Sequence, residues 1–369
     1  MRDMHLVMGS PNRYMQEKNI LAEAGQHIAP LGKKALLVGD ETTLEVVREK
    51  MNKSLKESEI EFREEIFGGE VTKKEAHRIA ALLEKDNFDL IIGIGGGKAI
   101  DTAKAAAAYS DRKLITIPTI ASNCAAWTPL SVFYDQQGTF EEYIIFQYSP
   151  VLVLVDTEII ADSPLNYFKA GIADTVVKFY EARASAANKE KNAPTRAALK
   201  VAEECKDVLF EFGVQAAADL ENKKATKAVE KTVDSIIALG GMVGGIGGDN
   251  CRIAGAHAVH NGLTVLPETH DLLHGEKVAF GNLVQLELEK NEAEFDELLS
   301  LLNKLDQPVT LAQLGLDRVT DSDLARVAAK SCSSEESIHN LPFKITEAAV
   351  LEAIKNVDSK AKEYLSQLG

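Results

Sequence analysis

The chain has 369 residues, of which 45% are hydrophobic and 26% charged, and its formal net charge is −15 at pH 7. An acidic chain without clustered Lys and Arg is unsuited to nucleic acid, and no apolar run approaches the roughly 20 residues that cross a bilayer. The N-terminus has neither signal-peptide nor transit-peptide composition. We therefore expect a soluble, cytoplasmic protein, and its length predicts two domains at the usual size of about 100–200 residues each.

Short apolar runs in the first part of the chain predict a parallel sheet covered by helices, because stretches of helix length separate several of them. The predicted strands are residues 33–40, 59–67, 88–95, 113–118 and 151–156. Between the last two, residues 131–135 and 142–147 flank a short polar segment. This pattern predicts a hairpin at the edge of the sheet.

From about Ser163 onward, segments with a 3.6-residue period replace the β-branched runs and predict an all-helical second domain. We place the boundary between an α/β domain, 1–162, and a helical domain, 163–369, with Ser163 as N-cap and Pro164 in the first helical turn. A glycine-rich run at 240–250 lies in this helical context without a preceding strand. We interpret it as close helix packing and not as a ligand loop.

The strand at 88–95 runs into Gly95, Gly96 and Gly97, and a helix opens at Lys98. Such a turn brings backbone N–H groups close to a pyrophosphate, although similar turns also occur only to pack a helix on a sheet. Asp40 ends another strand and is the residue type that binds an adenosine ribose and repels a 2′-phosphate. In the standard fingerprint this acid follows the glycine loop by about 20 residues, whereas here it precedes the loop. The sequence therefore predicts a dinucleotide domain that departs from the standard Rossmann order.

Four histidines fall within residues 254–281, namely His257, His260, His270 and His274. Neutral imidazole suits zinc and iron, and the i, i+3 spacing puts His257 and His260 on one helix face. Asp174 lies in an otherwise apolar helix, where a buried carboxylate needs a cation or hydrogen-bond donors. We predict Asp174, His257 and His274 as metal ligands with one position open to substrate oxygen. The alternative is that these histidines are ordinary core or surface residues.

Four segments together resemble the glycerol dehydrogenase branch of the iron-containing alcohol dehydrogenase superfamily: GGGKAIDTAK (95–104), PTIAS (118–122), AGIADTVVKFYEA (170–182) and AHAVHNGLTVLP…LHGEKVAFG (256–281). The resemblance covers nearly the whole chain. It implies the dehydroquinate synthase-like fold of that superfamily, with an N-terminal α/β dinucleotide-binding domain, an all-α C-terminal metal-binding domain and catalysis in the cleft between them. It also implies a homo-oligomer.

Carried over by motif, the resemblance puts Asp40 on the adenosine ribose and Gly97 and Lys98 on the pyrophosphate, beside Gly96. Further cofactor contacts are implied for Thr119, Ser122, Thr128, Leu130 and Tyr134. It likewise implies metal ligation by Asp174, His257 and His274. Four-ligand iron members have a further His one turn after the Asp, where this chain has Lys178. We therefore predict zinc, with iron(II) as the alternative.

Two departures from the glycerol dehydrogenase pattern concern the substrate. Cys124 stands where those enzymes have an Asp that holds the polyol, and Lys178 replaces an uncharged residue. Losing an anion and gaining a cation favours an anionic substrate. The segment CAAWTPLS (124–131), Lys178 and ESIHNLP (336–342) resemble the hydroxycarboxylate dehydrogenase subgroup, which reduces 2-oxo acids to 2-hydroxy acids. That subgroup implies NADP(H), whereas Asp40 favours NAD(H).

The leading interpretation is thus an NAD(P)-dependent dehydrogenase acting on CH–OH groups, in which the metal polarises a 2-oxo oxygen and the nicotinamide delivers hydride. Lys178 would hold the carboxylate, Trp127 and Cys124 would line the substrate pocket, and His260 would relay a proton. For each there is a structural alternative: an ion pair of Lys178 with a neighbouring carboxylate, a core position for Trp127, and a small neutral filler at Cys124.

Two other functions stay open. An NAD-dependent glycerol or vicinal-diol dehydrogenase would oxidise glycerol, and the missing acid at Cys124 argues against it. A lyase of the dehydroquinate synthase type would need several basic residues for a phosphate-bearing substrate, and the helical half does not display them.

Overall fold

The computed structural model describes residues 8–135 and 140–368, with a strand-rich first part and a helical second part. The strands are β1 (Tyr14–Glu17), β2 (Lys34–Gly39), β3 (Glu61–Ile66), β4 (Leu90–Gly95), β5 (Lys113–Pro118), β6 (Leu130–Tyr134), β7 (Phe140–Ile145) and β8 (Leu152–Asp156). The helices are α1 (Ala24–Ile28), α2 (Glu41–Glu57), α3 (Lys73–Lys85), α4 (Gly97–Ser110), α5 (Thr157–Asp162), α6 (Leu165–Ala186), α7 (Ala193–Glu221), α8 (Lys227–Asp234), α9 (Gly240–Gly247), α10 (Gly255–Leu263), α11 (His274–Glu289), α12 (Glu292–Lys304), α13 (Asp321–Ser331) and α14 (Glu347–Leu368). A π-helical turn, Ser235–Leu239, joins α8 to α9.

Six strands form one parallel sheet in the order β1-β8-β5-β4-β2-β3. Ala35 and Leu37 of β2 pack on one face with α1 and α2, whereas Leu36 and Val38 pack on the other face with α3 and α4. Because both of their faces are buried, the central strands β2, β4, β5 and β8 read as continuous apolar runs and not as alternating patterns. The predicted parallel α/β domain and the helix-rich remainder are confirmed.

The hairpin is present, but its predicted place at the sheet edge is wrong. Strands β6 and β7 pair antiparallel as a separate two-stranded sheet, and the polar tip, 136–139, lies outside the described residues. The Ser131 hydroxyl donates to the Asp101 carbonyl of α4 (2.8 Å), and the Tyr134 N–H donates to the Val71 carbonyl (2.9 Å). These contacts place the hairpin against α4, and the edges of the main sheet are β1 and β3.

The chain turns wholly helical after β8 among the residues the structure describes. Ser163 is not the predicted N-cap of α6: its hydroxyl donates to the Ile160 carbonyl (2.7 Å) and it ends α5, while Pro164 precedes α6 directly. The domain boundary after residue 162 stays a proposal. None of the described helices has the length and apolar character of a membrane span.

The glycine-rich run at 240–250 forms α9 and the turn after it, and it packs closely as predicted. A Cβ on Gly241 would overlap the Trp127 ring, and a Cβ on Gly247 would come within 2.7 Å of the Ala198 side chain on α7. Only glycine lets these groups approach the α9 backbone so closely.

Candidate cofactor site and metal centre

The strand order explains why the predicted ribose-binding acid precedes the glycine loop. The chain passes from β2 outward to β3 and then returns to β4 on the other side of β2. The carboxyl ends of β2 and β4 are therefore neighbours, and the Thr43 hydroxyl just after Asp40 lies 3.4 Å from the Ile94 carbonyl oxygen. A reversal of this kind opens a crevice at the carboxyl ends of the strands, where open α/β sheets bind ligands.

The glycine loop fits a dinucleotide by its backbone. Gly95 has φ +134°, which L side chains rarely adopt, and Gly96 precedes α4 without any side-chain cap. A Cβ on Gly97 would lie 3.2 Å from the Asn123 amide nitrogen. The first N–H groups of α4 thus stay available to an anion, as a pyrophosphate requires. Asp40 accepts the Thr43 N–H with one carboxylate oxygen (2.8 Å), so its second oxygen can meet a ribose.

The other predicted cofactor residues surround this loop. Lys98 forms an ion pair with Glu70 (2.7 Å) and lies 5.9 Å from the centre of the Tyr134 ring. Burial, with Asp101 and Glu70 nearby, raises the pKa of Tyr134 to about 12. The Thr119 N–H donates to the Gly95 carbonyl (3.2 Å).

The loop after β5 carries Ser122, Cys124 and Thr128. It packs directly on α6 at Gly171, so closely that a Cβ on that glycine would overlap the Ala121 carbonyl oxygen. The Thr128 N–H donates to the Cys124 carbonyl (3.3 Å) within this loop. The loop thus joins the cofactor side of the sheet to the helix that bears Asp174.

Lys104 lies under the same loop and has a structural position. Its side chain is 1% exposed and pairs with Asp101 (2.6 Å). The ammonium also donates to the carbonyl oxygens of Ala125 (2.9 Å) and Leu130. Asp101 in turn accepts the Val132 N–H (3.0 Å). This buried pair therefore holds the segment that bears Thr128 and Leu130.

The three predicted metal ligands come from three helices that pack closely. Asp174 lies in the middle of α6, His257 near the start of α10, and His274 is the first residue of α11. A Cβ on Gly275 would overlap the Ala170 carbonyl of α6, and a Cβ on Gly281 would overlap the Ala256 carbonyl of α10. These backbone contacts bring together ligands that lie 83 and 100 residues apart in the chain (257 − 174; 274 − 174).

One donor atom from each of Asp174, His257 and His274 lies within 4.8 Å of the others. Asp174 Oδ1 is 3.7 Å from His257 Nε2 and 3.4 Å from His274 Nε2, and it is a buried oxygen without a hydrogen-bond partner among the described residues. Burial raises the pKa of Asp174, but Lys178 and the two histidines outweigh it and hold the pKa below its ordinary value. One charged oxygen and two imidazole nitrogens around a common point fit a divalent transition metal.

Glu181 completes the centre and was missed by the sequence-based prediction. It is fully buried, and its carboxylate contacts His257 Nδ1 (2.6 Å) while accepting the N–H groups of Ala254 (2.8 Å) and His257 (3.0 Å). Burial raises the pKa of Glu181, but His257 and the two N–H donors lower it below its ordinary value. A carboxylate on Nδ1 leaves Nε2 free for a metal. The i, i+4, i+7 spacing of Asp174, Lys178 and Glu181 is the signal that would have found it.

Lys178 lies one turn after Asp174, and no carboxylate comes within 4 Å of its ammonium in the described part of the chain. A Cβ on Gly240 would lie 3.6 Å from Lys178 Cε, which places the side chain against the start of α9. Burial lowers the pKa of Lys178, but Cys124, Asp174 and Glu181 raise it above its ordinary value. Lys178 is therefore a cation beside the candidate metal centre and close to Cys124, and the predicted alternative of a direct ion pair is not formed with any described carboxylate.

His260, His270 and Trp127 lie farther from this point. His260 contacts the outer nitrogen of His274, with Nε2 and Nδ1 3.0 Å apart, and burial and His274 lower its pKa well below the ordinary value. His270 is exposed and contacts the Thr264 carbonyl. Trp127 is 4% exposed and packs against Tyr14 and α9, so its position is that of a core residue.

Comparison with known proteins agrees with this architecture. Residues 11–157 match the family described as iron-containing alcohol dehydrogenase. The chain is 38% identical to a glycolaldehyde reductase of Halobacterium salinarum over 97% of this chain and 99% of that protein. It is 41% identical to hydroxycarboxylate dehydrogenase A of Escherichia coli over 80% of this chain and 81% of that protein.

A solved structure of glycerol dehydrogenase from Schizosaccharomyces pombe matches with a TM-score of 0.92 and 31% identity, covering 100% of this chain and 94% of that chain. The predicted fold and the predicted enzyme class, a dehydrogenase acting on CH–OH groups with a nicotinamide cofactor, are confirmed. This chain belongs to the iron-containing alcohol dehydrogenase family.

Proposed function

We propose that this enzyme is a zinc-dependent, NADH-linked reductase of small 2-oxo acids. The observation that carries the proposal is Lys178, a cation beside Asp174 with no carboxylate partner within 4 Å in the described residues. Asp174, His257 and His274 would hold the metal, and a bound zinc ion with three protein ligands supplies a Lewis acid for the keto oxygen. Lys178 would bind the substrate carboxylate by charge-assisted hydrogen bonds.

A second cation supports an acidic substrate. Gly240 and Gly244 lie one turn apart on α9, and a Cβ on Gly244 would be 3.3 Å from Arg252 Nη1. Lys178 and Arg252 therefore follow the same face of α9. Among the residues that the structure describes, the carboxylate nearest to Arg252 is that of Asp249, at 3.8 Å, and the Asp249 side chain is 73% exposed. Relatives include a hydroxycarboxylate dehydrogenase, which is consistent with this reading.

The test is the loss of nicotinamide absorbance by zinc-loaded protein offered 2-oxobutanoate, 2-oxoglutarate and dihydroxyacetone, with NADH and NADPH in turn. Turnover of the 2-oxo acids supports the proposal, and a preference for 2-oxoglutarate supports a second carboxylate site at Arg252. Turnover of dihydroxyacetone alone would favour the second candidate, a glycerol or vicinal-diol dehydrogenase. The similarity to the S. pombe glycerol dehydrogenase structure favours that candidate.

Lys178→Met is expected to raise KM for 2-oxobutanoate by at least about 30-fold, because truncating one partner of a buried charge pair costs about 2–5 kcal/mol. Glycolaldehyde, a smaller and neutral carbonyl compound, serves as the internal control, and its KM should change far less. Steady-state kinetics with both substrates measure the difference. Equal losses for acid and aldehyde would remove Lys178 from carboxylate binding.

Asp40→Ser is expected to lower the preference for NADH over NADPH, measured as the ratio of kcat/KM values, by at least about tenfold. Serine removes the charge that repels a 2′-phosphate but still caps α2, so stability should be nearly unchanged. Asp40→Ala is the matched control that loses both functions. A wild-type enzyme that already prefers NADPH would contradict the choice of NADH.

A further inference from the structure

The predicted ligand His274 presents one ring nitrogen to the candidate metal centre and the other to a half-buried chain of polar groups. Nε2 lies 3.4 Å from Asp174 Oδ1, and Nδ1 lies 3.0 Å from His260 Nε2. A neutral imidazole carries its proton on only one nitrogen. Metal binding at Nε2 therefore requires His274 to hold the proton on Nδ1 and donate it to His260.

The next links in the chain fix that choice. Glu336 can only accept hydrogen bonds when ionised, so the Asn261 amide group donates to it (2.8 Å). Asn261 must then turn its carbonyl oxygen toward His260 Nδ1, 2.9 Å away. His260 Nδ1 is the donor in that contact, which leaves His260 Nε2 as the acceptor for His274. One carboxylate thus sets the tautomers of two histidines in series.

Glu336 is itself firmly held. Its side chain is 8% exposed and pairs with Lys330 (3.1 Å). Two other residues of the same segment form hydrogen bonds with the chain just before α10. The Ser337 hydroxyl donates to the Ala254 carbonyl (2.6 Å), and the Asn340 amide donates to the Ile253 carbonyl (3.0 Å). Residues 336–340 therefore contact the helix bearing His257 and His260 at its beginning and at Asn261 near its end.

We propose that Glu336, Asn261 and His260 are positioning residues that set the tautomer of His274 and thereby the metal affinity. The inference rests on the metal centre of the proposed function. Under this proposal a carboxylate orients each ligand histidine. Glu181 contacts His257 directly, and Glu336 acts on His274 through Asn261 and His260. The same arrangement gives the ESIHN residues of the 336–342 segment a role in the metal site, away from the substrate.

Metal affinity tests this role independently of turnover. Zn²⁺ dissociation constants are measured by competition with a chromophoric chelator, and the visible absorption of Co²⁺-loaded protein reports the ligand field. Glu336→Leu and Asn261→Ala are each expected to weaken Zn²⁺ binding about 10- to 100-fold and to alter the Co²⁺ spectrum. Glu336→Gln can present either its oxygen or its NH₂ group to Asn261, so its Zn²⁺ affinity is expected to fall between those of wild type and Glu336→Leu.

Glu335→Leu is the matched control, since Glu335 also lies within 3.4 Å of Lys330 but is 65% exposed and does not contact Asn261. Its Zn²⁺ affinity should not change. If Asp174→Asn loses zinc while Glu336→Leu and Asn261→Ala bind it as tightly as wild type, the positioning role is wrong and the metal centre stands. If the wild-type protein binds neither Zn²⁺ nor Co²⁺, both proposals fail. Circular dichroism identifies a variant that does not fold, and the other variant then decides.

Discussion

Asp174→Asn is expected to reduce Zn²⁺ affinity more than 100-fold and to lower kcat/KM about 1,000-fold or more. Asp174 supplies the only charged oxygen of the predicted ligand set, and the substitution keeps the shape of the side chain while removing its charge. A metal Lewis acid contributes several kcal/mol of transition-state stabilisation, and each 1.36 kcal/mol corresponds to a factor of ten in rate.

The same variant should separate metal binding from folding. Asp174 is 3% exposed, but Lys178, His257 and His274 hold its pKa below the ordinary value, so its charge is stabilised in the folded protein even without metal. Metal-free Asp174→Asn should therefore be less stable than metal-free wild type at neutral pH. Added Zn²⁺ should raise the Tm of wild type by binding the folded state, and leave the variant unchanged.

Thermal unfolding with and without Zn²⁺, together with chelator competition, measures both effects. Asp271→Asn is a suitable control because Asp271 is an exposed carboxylate three residues before His274. It should retain zinc binding and activity. An Asp174→Asn protein that still shows a zinc-dependent Tm shift and wild-type turnover would place the metal elsewhere.

The sequence predicts β2, β4, β5 and β8, which are buried on both faces, and also the half-exposed β3, because local composition distinguishes each of them. It does not predict β1, whose four residues, Tyr14–Glu17, are only half-buried or exposed and pair with β8 alone. The position of the hairpin also depends on tertiary contacts, here between Ser131 and α4 and between Tyr134 and Val71. Local sequence patterns contain no information about the segments with which β1 and the hairpin pack.

The candidate metal ligands were recognisable in the sequence because Asp and His in apolar helices are unusual residues whose chemistry is specific. The groups that orient them were not, since Glu181 contacts His257 across 76 residues and Glu336 contacts Asn261 across 75. Their roles arise from the docking of α6, α10 and the 336–340 segment. Asp40 and the glycine loop are an intermediate case. Each is recognisable in the sequence alone, but only the pairing of β2 with β4 explains how an acid that precedes the loop can lie beside it.

Lys104→Met is expected to destabilise the protein by about 3–5 kcal/mol, the usual cost of removing one partner from a buried ion pair. The substitution would leave Asp101 and the carbonyl oxygens of Ala125 and Leu130 without their donor. Burial already raises the pKa of Asp101, with Lys104 and the Val132 N–H opposing that rise. Chemical denaturation of the zinc-loaded protein measures the loss.

The double variant Lys104→Met/Asp101→Asn should recover part of this loss, because the amide keeps an acceptor for the Val132 N–H without an unpaired charge. Lys53→Met, at a side chain that is 77% exposed on α2, should change stability by less than about 0.5 kcal/mol. Since Lys104 holds the segment with Thr128 and Leu130, the single variant should also raise KM for the nicotinamide cofactor. A Lys104→Met protein as stable as the Lys53→Met control would show that water or local rearrangement replaces the ammonium.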